Sequence, residues 1–211
     1  MTSKLVALSE WLNRWNMNME QQRLTEIYND MVKSYSEHHR HYHNLDHVSA
    51  CLFEFTEAEH LIPHTFEVWL SIWYHDVVYD PKEHNNEERS IEYATKTLKG
   101  IFSEDALERV SRLIMATRHD VPMRSDDEKF IADIDLAILG GQRDRFNEYE
   151  ESIRMEYMWV PEDMFRKGRS EILRRFLERD SIYQTDYFRE KYEKVARQNL
   201  RHSISLLKKD D

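Results

Sequence analysis

The sequence predicts an all-α protein, folded as a single helical bundle, and three observations support this fold class. The 211 residues include only 4 glycines and 4 prolines, whereas these two residue types make up about 12% of average proteins. An all-β sandwich needs more of them because its turns are frequent. Apolar residues recur at spacings of three and four along most of the chain, which is typical of the buried face of an α-helix. Hydrophobic residues make up 40% and aromatic residues 12% of the sequence, which is sufficient for a core.

Three helices are predicted in the first 60 residues. The apolar stripe of the first consists of Leu5, Leu8, Trp11, Leu12 and Trp15. The second covers about residues 20–36 and carries a similar stripe. Asn44 is a good N-cap for the third, which runs to about Glu59 and ends near Pro63.

Three further helices are predicted before residue 120. The fourth extends from Thr65 to Tyr79, where an Asp-Pro pair breaks the pattern. The fifth covers about residues 86–99 and is closed by Gly100. Ser103 can cap the sixth, which has acidic residues in its first turn.

The remaining chain is predicted to be helical after a polar loop at residues 120–128. A short apolar helix or turn follows to Leu139 and ends at two glycines. Helices are then predicted over about 144–159, from Pro161 to about 179, and over about 185–207. Because no repeat and no Gly-, Pro- or Ser-rich linker interrupts the chain, a single domain is expected.

Charge, cysteine content and hydropathy restrict the classes of function. Lys and Arg number 30 against 40 Asp and Glu, a net charge of −10, which disfavours a nucleic-acid polymer as partner. The single cysteine, Cys51, fits a reducing compartment. No apolar run approaches the roughly 18 residues of a membrane span. Asn13, Arg14 and Asn16 interrupt the apolar residues that a signal peptide would need. We therefore expect a cytoplasmic protein with no membrane partner.

Five of the 11 histidines lie between residues 38 and 47. His43 and His47 are four residues apart, so one helical turn brings them to one surface. Such a pair can bind a metal, although this spacing is also common by chance. The other three histidines of the cluster are interpreted as surface residues.

Carboxylates also occur inside two apolar segments. His75-Asp76 lies within the run from Val68 to Tyr79, and Asp133-x-Asp135 lies in the segment FIADIDLAIL. Burying an ionised carboxylate costs several kcal/mol unless it is paired or bound to a cation. The first pair is either a structural ion pair or two metal ligands, and a helix cap explains only one of the two aspartates.

One divalent cation would satisfy His47, His75, Asp76 and Asp135 together. Imidazole and carboxylate ligands suit Mn, Fe, Zn, Ni or Co more than Ca. The order of a His, a His-Asp pair and a distant Asp resembles the HD superfamily of metal-dependent phosphohydrolases.

The segment Arg40-x-Tyr42-His43-Asn44-x-x-His47 is similar to that of a branch of small bacterial predicted phosphohydrolases. The similarity continues along most of the chain, at Tyr74-His75-Asp76, Asn86-Glu87-Glu88-Arg89-Ser90, Ala116-Thr117 with His119, Asp133-x-Asp135-Leu136, Gly168-Arg169, Arg179, Tyr183 and Ala196-Arg197-x-Asn199-Leu200. It implies one HD-type domain over residues 1–211, with a metal-site core at about 38–140 and helices 144–207 packed on it.

The resemblance makes His47, His75, Asp76 and Asp135 the ligands of one divalent ion, which is Mn, Fe, Ni, Co, Zn or Mg. Asp133 would then orient a ligand, although the two aspartates could exchange roles. His119 and His84 are the histidines available for a second metal, and one metal is the simpler expectation. His119 is otherwise placed beside the ligands or the substrate.

Roles for the neighbouring residues follow from the resemblance and from their chemistry. His43 corresponds to the general acid in the similar Tyr-His-Asn-x-x-His string of cyclic-nucleotide phosphodiesterases. Arg40 is the candidate phosphate clamp, because a guanidinium matches phosphate in two-point geometry; a solvated helix-end charge is the competing interpretation. Arg118 and Arg169 are alternative clamps or substrate-binding residues.

The attacking water is expected to be oriented by Asp80 or Glu87. Tyr79 departs from the family pattern, since many superfamily phosphatases carry Lys or Glu there. Asp80 resembles the acidic residue that guanosine-tetraphosphate hydrolases of the superfamily place at this point.

The expected function is therefore hydrolysis of a phosphate ester of a small metabolite or nucleotide by a metal-activated water. One alternative is a non-catalytic nucleotide or effector sensor, which would bind a ligand tightly without turnover. The other is a di-iron oxygenase on the same scaffold, which would need two further His or Asp ligands and oxygen-dependent chemistry.

Overall fold

Ten α-helices follow one another in residues 8–15 and 20–208, the part of the chain that the computed structural model describes, and this part contains no β-strand. The helices are α1 (Leu8–Arg14), α2 (Gln21–Tyr35), α3 (Leu45–Ala58), α4 (Thr65–Tyr74), α5 (Asn86–Leu98), α6 (Glu104–Ala116), α7 (Asp126–Asp135), α8 (Arg143–Glu156), α9 (Glu162–Glu178) and α10 (Asp186–Leu207). Two 3₁₀ helices, Glu59–Leu61 and Leu136–Gly140, follow α3 and α7. The all-α prediction is confirmed. Leu5, from the first predicted apolar stripe, and Asn16, one of the polar residues near the N-terminus, lie outside the described residues.

Side-chain caps begin several of these helices. The Asn44 side chain accepts hydrogen bonds from the backbone N–H groups of Asp46 and His47, and Ser103 accepts one from Ala106. Both caps were expected from the sequence, because a short polar side chain satisfies N–H groups that the first helical turn leaves free.

The structure corrects two predicted boundaries. α4 ends at Tyr74 instead of Tyr79, and the chain then turns away from the helix axis. Residues 126–128, predicted as loop, form the first turn of α7. Ser125 caps this turn by accepting from the Glu128 N–H, and the Glu128 carboxylate accepts from the Arg124 N–H. These two contacts resemble a capping box, although the carboxylate binds the N–H one residue before the cap, and they fix the helix start within a polar sequence.

The core is centred on α4, where every residue from Val68 to Tyr74 is buried. α4 contacts α3, α5, α6 and α7, so its far end lies where α3 and α7 meet. Trp11 of α1 packs along one side of α4, with its ring centroid 5.1 Å from Trp69 and 5.3 Å from Trp73. One continuous cluster of buried side chains extends from Trp11 to Ile204 in α10, which makes the described helices a single-domain bundle.

Candidate metal centre

The side chains of the candidate metal centre come from the ends of three helices. His47 lies in the first turn of α3, His75 and Asp76 directly follow α4, and Asp135 is the last residue of α7. The regular backbone hydrogen bonding stops at a helix end, so side chains there can turn toward a point that they share with residues of other helices. Because α3 and α7 both pack against α4, these helix ends converge.

The four predicted ligand residues meet at distances that suit a common ion. The His47 Nε2 atom lies 3.0 Å from His75 Nε2 and 3.2 Å from Asp135 Oδ1. Asp76 Oδ2 lies 3.1 Å from His75 Nε2 and 3.6 Å from His47 Nε2. Ligand atoms held about 2.0–2.2 Å from one ion are roughly 2.8–3.6 Å from each other. The structure therefore brings His47, His75, Asp76 and Asp135 to one point.

Cys51 joins this group one helical turn after His47. Ligand atoms of His47, Cys51, His75 and Asp135 all lie within 4.8 Å of one another, and this buried cluster could hold a metal ion. The Cys51 Sγ atom is 3.8 Å from both ring nitrogens of His47. Burial raises the pKa of the Cys51 thiol well above its usual value, and the charges of Asp135 and Asp76 raise it further. The sequence interpretation used Cys51 only as an indicator of compartment.

The charge distribution of the cluster favours a cation. The His75 Nδ1 atom lies 2.8 Å from the Ile72 carbonyl oxygen, so Nδ1–H donates there and the Nε2 lone pair faces His47. Burial lowers the pKa of His75, but the carboxylates of Asp76 and Asp135 raise it more. Burial likewise raises the pKa of both aspartates, and the neighbouring histidines lower it more. Two imidazole nitrogens that face each other beside two carboxylates favour a positive charge between them, which a proton or a metal ion can supply.

His119 contacts the cluster through Asp135. Its Nε2 atom lies 2.8 Å from Asp135 Oδ2, the carboxylate oxygen that does not approach His47. The backbone of His119 has a φ of 61°, and its carbonyl oxygen accepts a hydrogen bond from the Arg179 guanidinium. A left-handed conformation is uncommon for a residue other than glycine. This geometry allows His119 to orient the Asp135 carboxylate.

Asp133 points elsewhere, which corrects its predicted role. Its carboxylate accepts hydrogen bonds of 2.7 Å from the backbone N–H groups of Gln184 and Thr185 and from the Thr185 hydroxyl. Burial raises the pKa of Asp133 to about 6. Asp133 therefore fixes the chain before α10, and the alternative in which Asp133 replaces Asp135 in the cluster is wrong because only Asp135 reaches His47.

His43 lies beside the cluster and is held by a carboxylate that the sequence interpretation missed. The ring centroids of His43 and His47 are 5.8 Å apart. His43 Nδ1 lies 2.7 Å from Glu156 Oε2, and the ring stacks on Tyr79 at 4.1 Å between centroids. Glu156 also accepts hydrogen bonds from the Tyr79 hydroxyl and from the N–H groups of Tyr42 and His43. The His43 ring is therefore fixed through Nδ1, and its Nε2 atom remains available.

The pKa values of this pair move in opposite directions. Burial lowers the pKa of His43, but the charge and hydrogen bond of Glu156 raise it more. Burial raises the pKa of Glu156, whereas the charge of His43 and the hydrogen bonds lower it more, from 4.5 to about 2. An imidazolium beside a carboxylate is thus favoured at this position.

Arg40 has a structural role, which corrects the predicted phosphate clamp. Its side chain is fully buried. The guanidinium donates to the carbonyl oxygens of His43, Asp76 and Val77 and to the Glu37 carboxylate. With these donors occupied, Arg40 has no free edge for a phosphate. It instead joins the segment before α3 to the turn after α4.

The two alternative arginines are also engaged. Arg118 pairs with Glu88 and Asp120 near the surface. Arg169 is buried and donates to Glu150 and to the Tyr149 hydroxyl. Glu150 is half-buried and Glu156 is buried, so the acidic run at 148–156 is not a wholly solvated helix face.

The two residues predicted to orient the attacking water, Asp80 and Glu87, differ in how the protein engages them. Asp80 Oδ1 accepts the Lys82 N–H, and the backbone of Asp80 pairs with the Asn86 side chain, so Asp80 shapes the turn that leads to α5. Glu87 is half-buried in the first turn of α5. Burial raises the pKa of Glu87, and the charge of Asp76 raises it further, which places the Glu87 carboxylate within electrostatic range of the cluster.

A pocket of about 270 Å³ leads from the surface to the cluster. His47, Cys51 and Asp135 lie among its lining residues, and its walls come from α3, α7, α8 and α10. Arg145 in the first turn of α8 lines the same pocket. Nothing in the sequence distinguishes Arg145 from other arginines of this helix.

Two of the missed residues do carry a sequence signal. Glu156 lies in the apolar segment MEYMWV, the same kind of surrounding that identified Asp76. Cys51 lies four residues after His47, on the same helical face.

Comparison with known family models, with curated proteins and with solved structures gives no match in any of the three. None of the helices in the described ranges is both long enough and apolar enough to cross a membrane. Function is therefore inferred from the geometry of the site.

Proposed function

We propose that this chain is a metal-dependent phosphohydrolase of the HD superfamily, which hydrolyses a phosphate ester of a small metabolite or nucleotide. The observation that carries the proposal is the convergence of His47, His75, Asp76 and Asp135 at separations of 3.0–3.6 Å. A histidine backed by a buried carboxylate lies next to this cluster, at His43 and Glu156. Hydrolysis of a phosphate ester uses these two elements, a cation and a proton donor.

The ligand set fits one divalent transition-metal ion. His47, His75, Asp76 and Asp135 supply two imidazole nitrogens and two carboxylates, donors that suit Mn, Fe, Co, Ni or Zn. When bound, such an ion lowers the pKa of water and polarises a phosphoryl oxygen. His119 orients Asp135 through their hydrogen bond, and Ile72 fixes the His75 tautomer.

The proton for the leaving oxygen is assigned to His43. Because Glu156 binds Nδ1 at 2.7 Å, the Nε2 atom is the one that can hold a proton toward the substrate. Tyr79 supports this arrangement by stacking on the His43 ring and donating to Glu156. Glu87 is half-buried in the first turn of α5, and the charge of Asp76 raises its pKa. We assign to it the role of orienting the attacking water.

The test is metal analysis of the purified protein, followed by a phosphate-release screen with Mn, Co, Ni, Zn and Mg. The His75→Ala variant should lose both the metal and phosphate release, because His75 belongs to the cluster. The matched control is His60→Ala, which changes an exposed histidine in the 3₁₀ helix after α3 and should keep both.

Two results would contradict the proposal. A purified protein that binds no divalent ion, or a His75→Ala variant that keeps full metal content, would remove its basis. Tight nucleotide binding without phosphate release under any of these ions would favour the sensor. Two metals per chain together with an oxygen-dependent reaction would favour the oxygenase.

A further inference from the structure

The pocket that reaches the metal cluster contains one strongly basic side chain. Among the described residues that line it, Arg145 is the only lysine or arginine. His47, Cys51 and Asp135 lie on the same lining, so the pocket joins Arg145 to the cluster. An anion that enters this pocket therefore finds the cluster and a guanidinium in one cavity.

The Arg145 guanidinium is not engaged by the protein. Within residues 8–15 and 20–208 it has no salt bridge and no hydrogen bond, whereas Arg40 and Arg169 are occupied. Arg145 is also exposed.

Acidic residues limit which anions the pocket can accept. Asp46, Glu54 and Glu148 also line it. Of these described carboxylates only Glu54 forms an ion pair, with Lys191, and it also accepts a hydrogen bond from the Tyr192 hydroxyl. The exposed carboxylates of Asp46 and Glu148 repel a ligand with many negative charges. A volume of about 270 Å³ lies just below the usual range for ligand sites, which favours a compact ligand.

We propose that this pocket is the substrate site, that it takes a compact compound with a single phosphate group, and that Arg145 binds that phosphate in two-point geometry. A guanidinium presents paired N–H donors that match two phosphate oxygens. The statement that this pocket holds the substrate rests on the proposed function, but phosphate binding by Arg145 is measurable without turnover.

Calorimetric titration of inorganic phosphate into the metal-loaded protein tests the assignment. Arg145→Gln should weaken phosphate binding at least about tenfold, since a hydrogen-bonded charge is removed. Arg174→Gln is the matched control, because Arg174 in α9 is exposed and lies outside the pocket. It should bind phosphate as the wild type does. Arg145→Lys should be intermediate, because lysine keeps the charge and loses the paired donors.

The outcomes separate this inference from the proposed function. Equal phosphate affinity in wild type and Arg145→Gln would overturn the role of Arg145 even if the wild type hydrolyses phosphate esters. A wild type that releases no phosphate with any metal, yet loses phosphate affinity on Arg145→Gln, would support the anion site and contradict the hydrolase. Inorganic triphosphate that binds as tightly as phosphate would overturn the single-phosphate restriction.

Discussion

At the scale of single residues, Asp76 and Cys51 are alternative fourth members of the candidate metal centre. Asp76 Oδ2 lies 3.1 Å from His75 Nε2, a separation that suits two ligands of one ion. Cys51 Sγ is equally distant, at 3.8 Å, from both ring nitrogens of His47. The sulfur thus lies across the ring rather than in front of the Nε2 lone pair. The geometry favours Asp76.

The first prediction follows from this choice. Asp76→Asn should lower metal affinity by more than about 100-fold, because loss of a ligand costs more than loss of a residue that only supports one. Cys51→Ser should leave the metal content unchanged. Metal analysis after dialysis measures both effects. A sulfur-to-cobalt charge-transfer band in the Co(II)-loaded protein would contradict this assignment.

Glu156 provides the second prediction at the residue scale. Its side chain is fully buried, and its pKa falls from 4.5 to about 2. The ionised form therefore contributes on the order of 3 kcal/mol to the free energy of unfolding above pH 4.5. This contribution should fall progressively as the pH drops below about 4.5, and it is lost only below about pH 2, where the carboxylate is protonated in the folded state as well.

Urea denaturation as a function of pH measures this contribution. Glu156→Gln should be clearly less stable than the wild type at pH 7, and the difference should shrink in acid. Glu151→Gln, an exposed position on the same helix, is the control and should change little. A constant difference down to pH 2 would show that the charge of Glu156 is not the cause.

At the scale of elements, α7 carries two aspartates with separate tasks. Asp135 at its end faces the cluster, and Asp133 accepts three hydrogen bonds at the start of α10. The side chains of two residues that are two positions apart on an α-helix differ in direction by about 200°. The different directions of Asp133 and Asp135 follow from that periodicity.

The third prediction uses this difference. Asp133→Asn should lower the free energy of unfolding by about 1–3 kcal/mol, because an amide N–H₂ would face a donor where a carboxylate oxygen now accepts. Its metal content should remain that of the wild type. Asp135→Asn is the comparison and should lose metal. Equal metal loss in both variants would contradict the role of Asp133 as an anchor for α10.

The end of α4 shows why some helix boundaries cannot be predicted from the local sequence. The apolar run continues to Tyr79, and periodicity alone extends the helix with it. The structure ends α4 at Tyr74, and Arg40 binds the carbonyl oxygens of Asp76 and Val77 beyond it. These donors come from a segment more than 30 residues earlier in the chain, so no local pattern could indicate them.

For the whole molecule, the cluster joins three distant parts of the chain. Positions 47, 75–76 and 135 approach one another only in the folded state, so a bound ion stabilises that state alone. Each tenfold excess of free metal over its dissociation constant should add about 1.4 kcal/mol. For a protein of this size, that corresponds to a rise in Tm of roughly 3–6 °C.

The fourth prediction is this rise in Tm with metal concentration. Thermal unfolding followed by circular dichroism, with and without chelator, measures it. The His75→Ala variant should show no rise, because its cluster is incomplete. An equal rise in that variant would indicate that the ion binds elsewhere.

The sequence predicted the fold and the convergence of the cluster better than it predicted the surrounding contacts. Helical periodicity and caps such as Asn44 are local, and polar residues in apolar segments identified His75, Asp76 and Asp135. The roles of Arg40 and Glu156 depend on partners 36 and 113 residues away. Charge type alone suggested that Arg40 bound phosphate, whereas burial decides that it does not.

The buried Arg40 has a consequence for how the site is assembled. Its planar guanidinium donates to the backbone carbonyl oxygens of His43 and Asp76, so one buried side chain sets the spacing between these two residues. A lysine has a single nitrogen and could not reach the carbonyl oxygens of both segments in the same planar geometry. The relative position of His43 and Asp76 is thereby fixed by the polypeptide itself, without a bound ion.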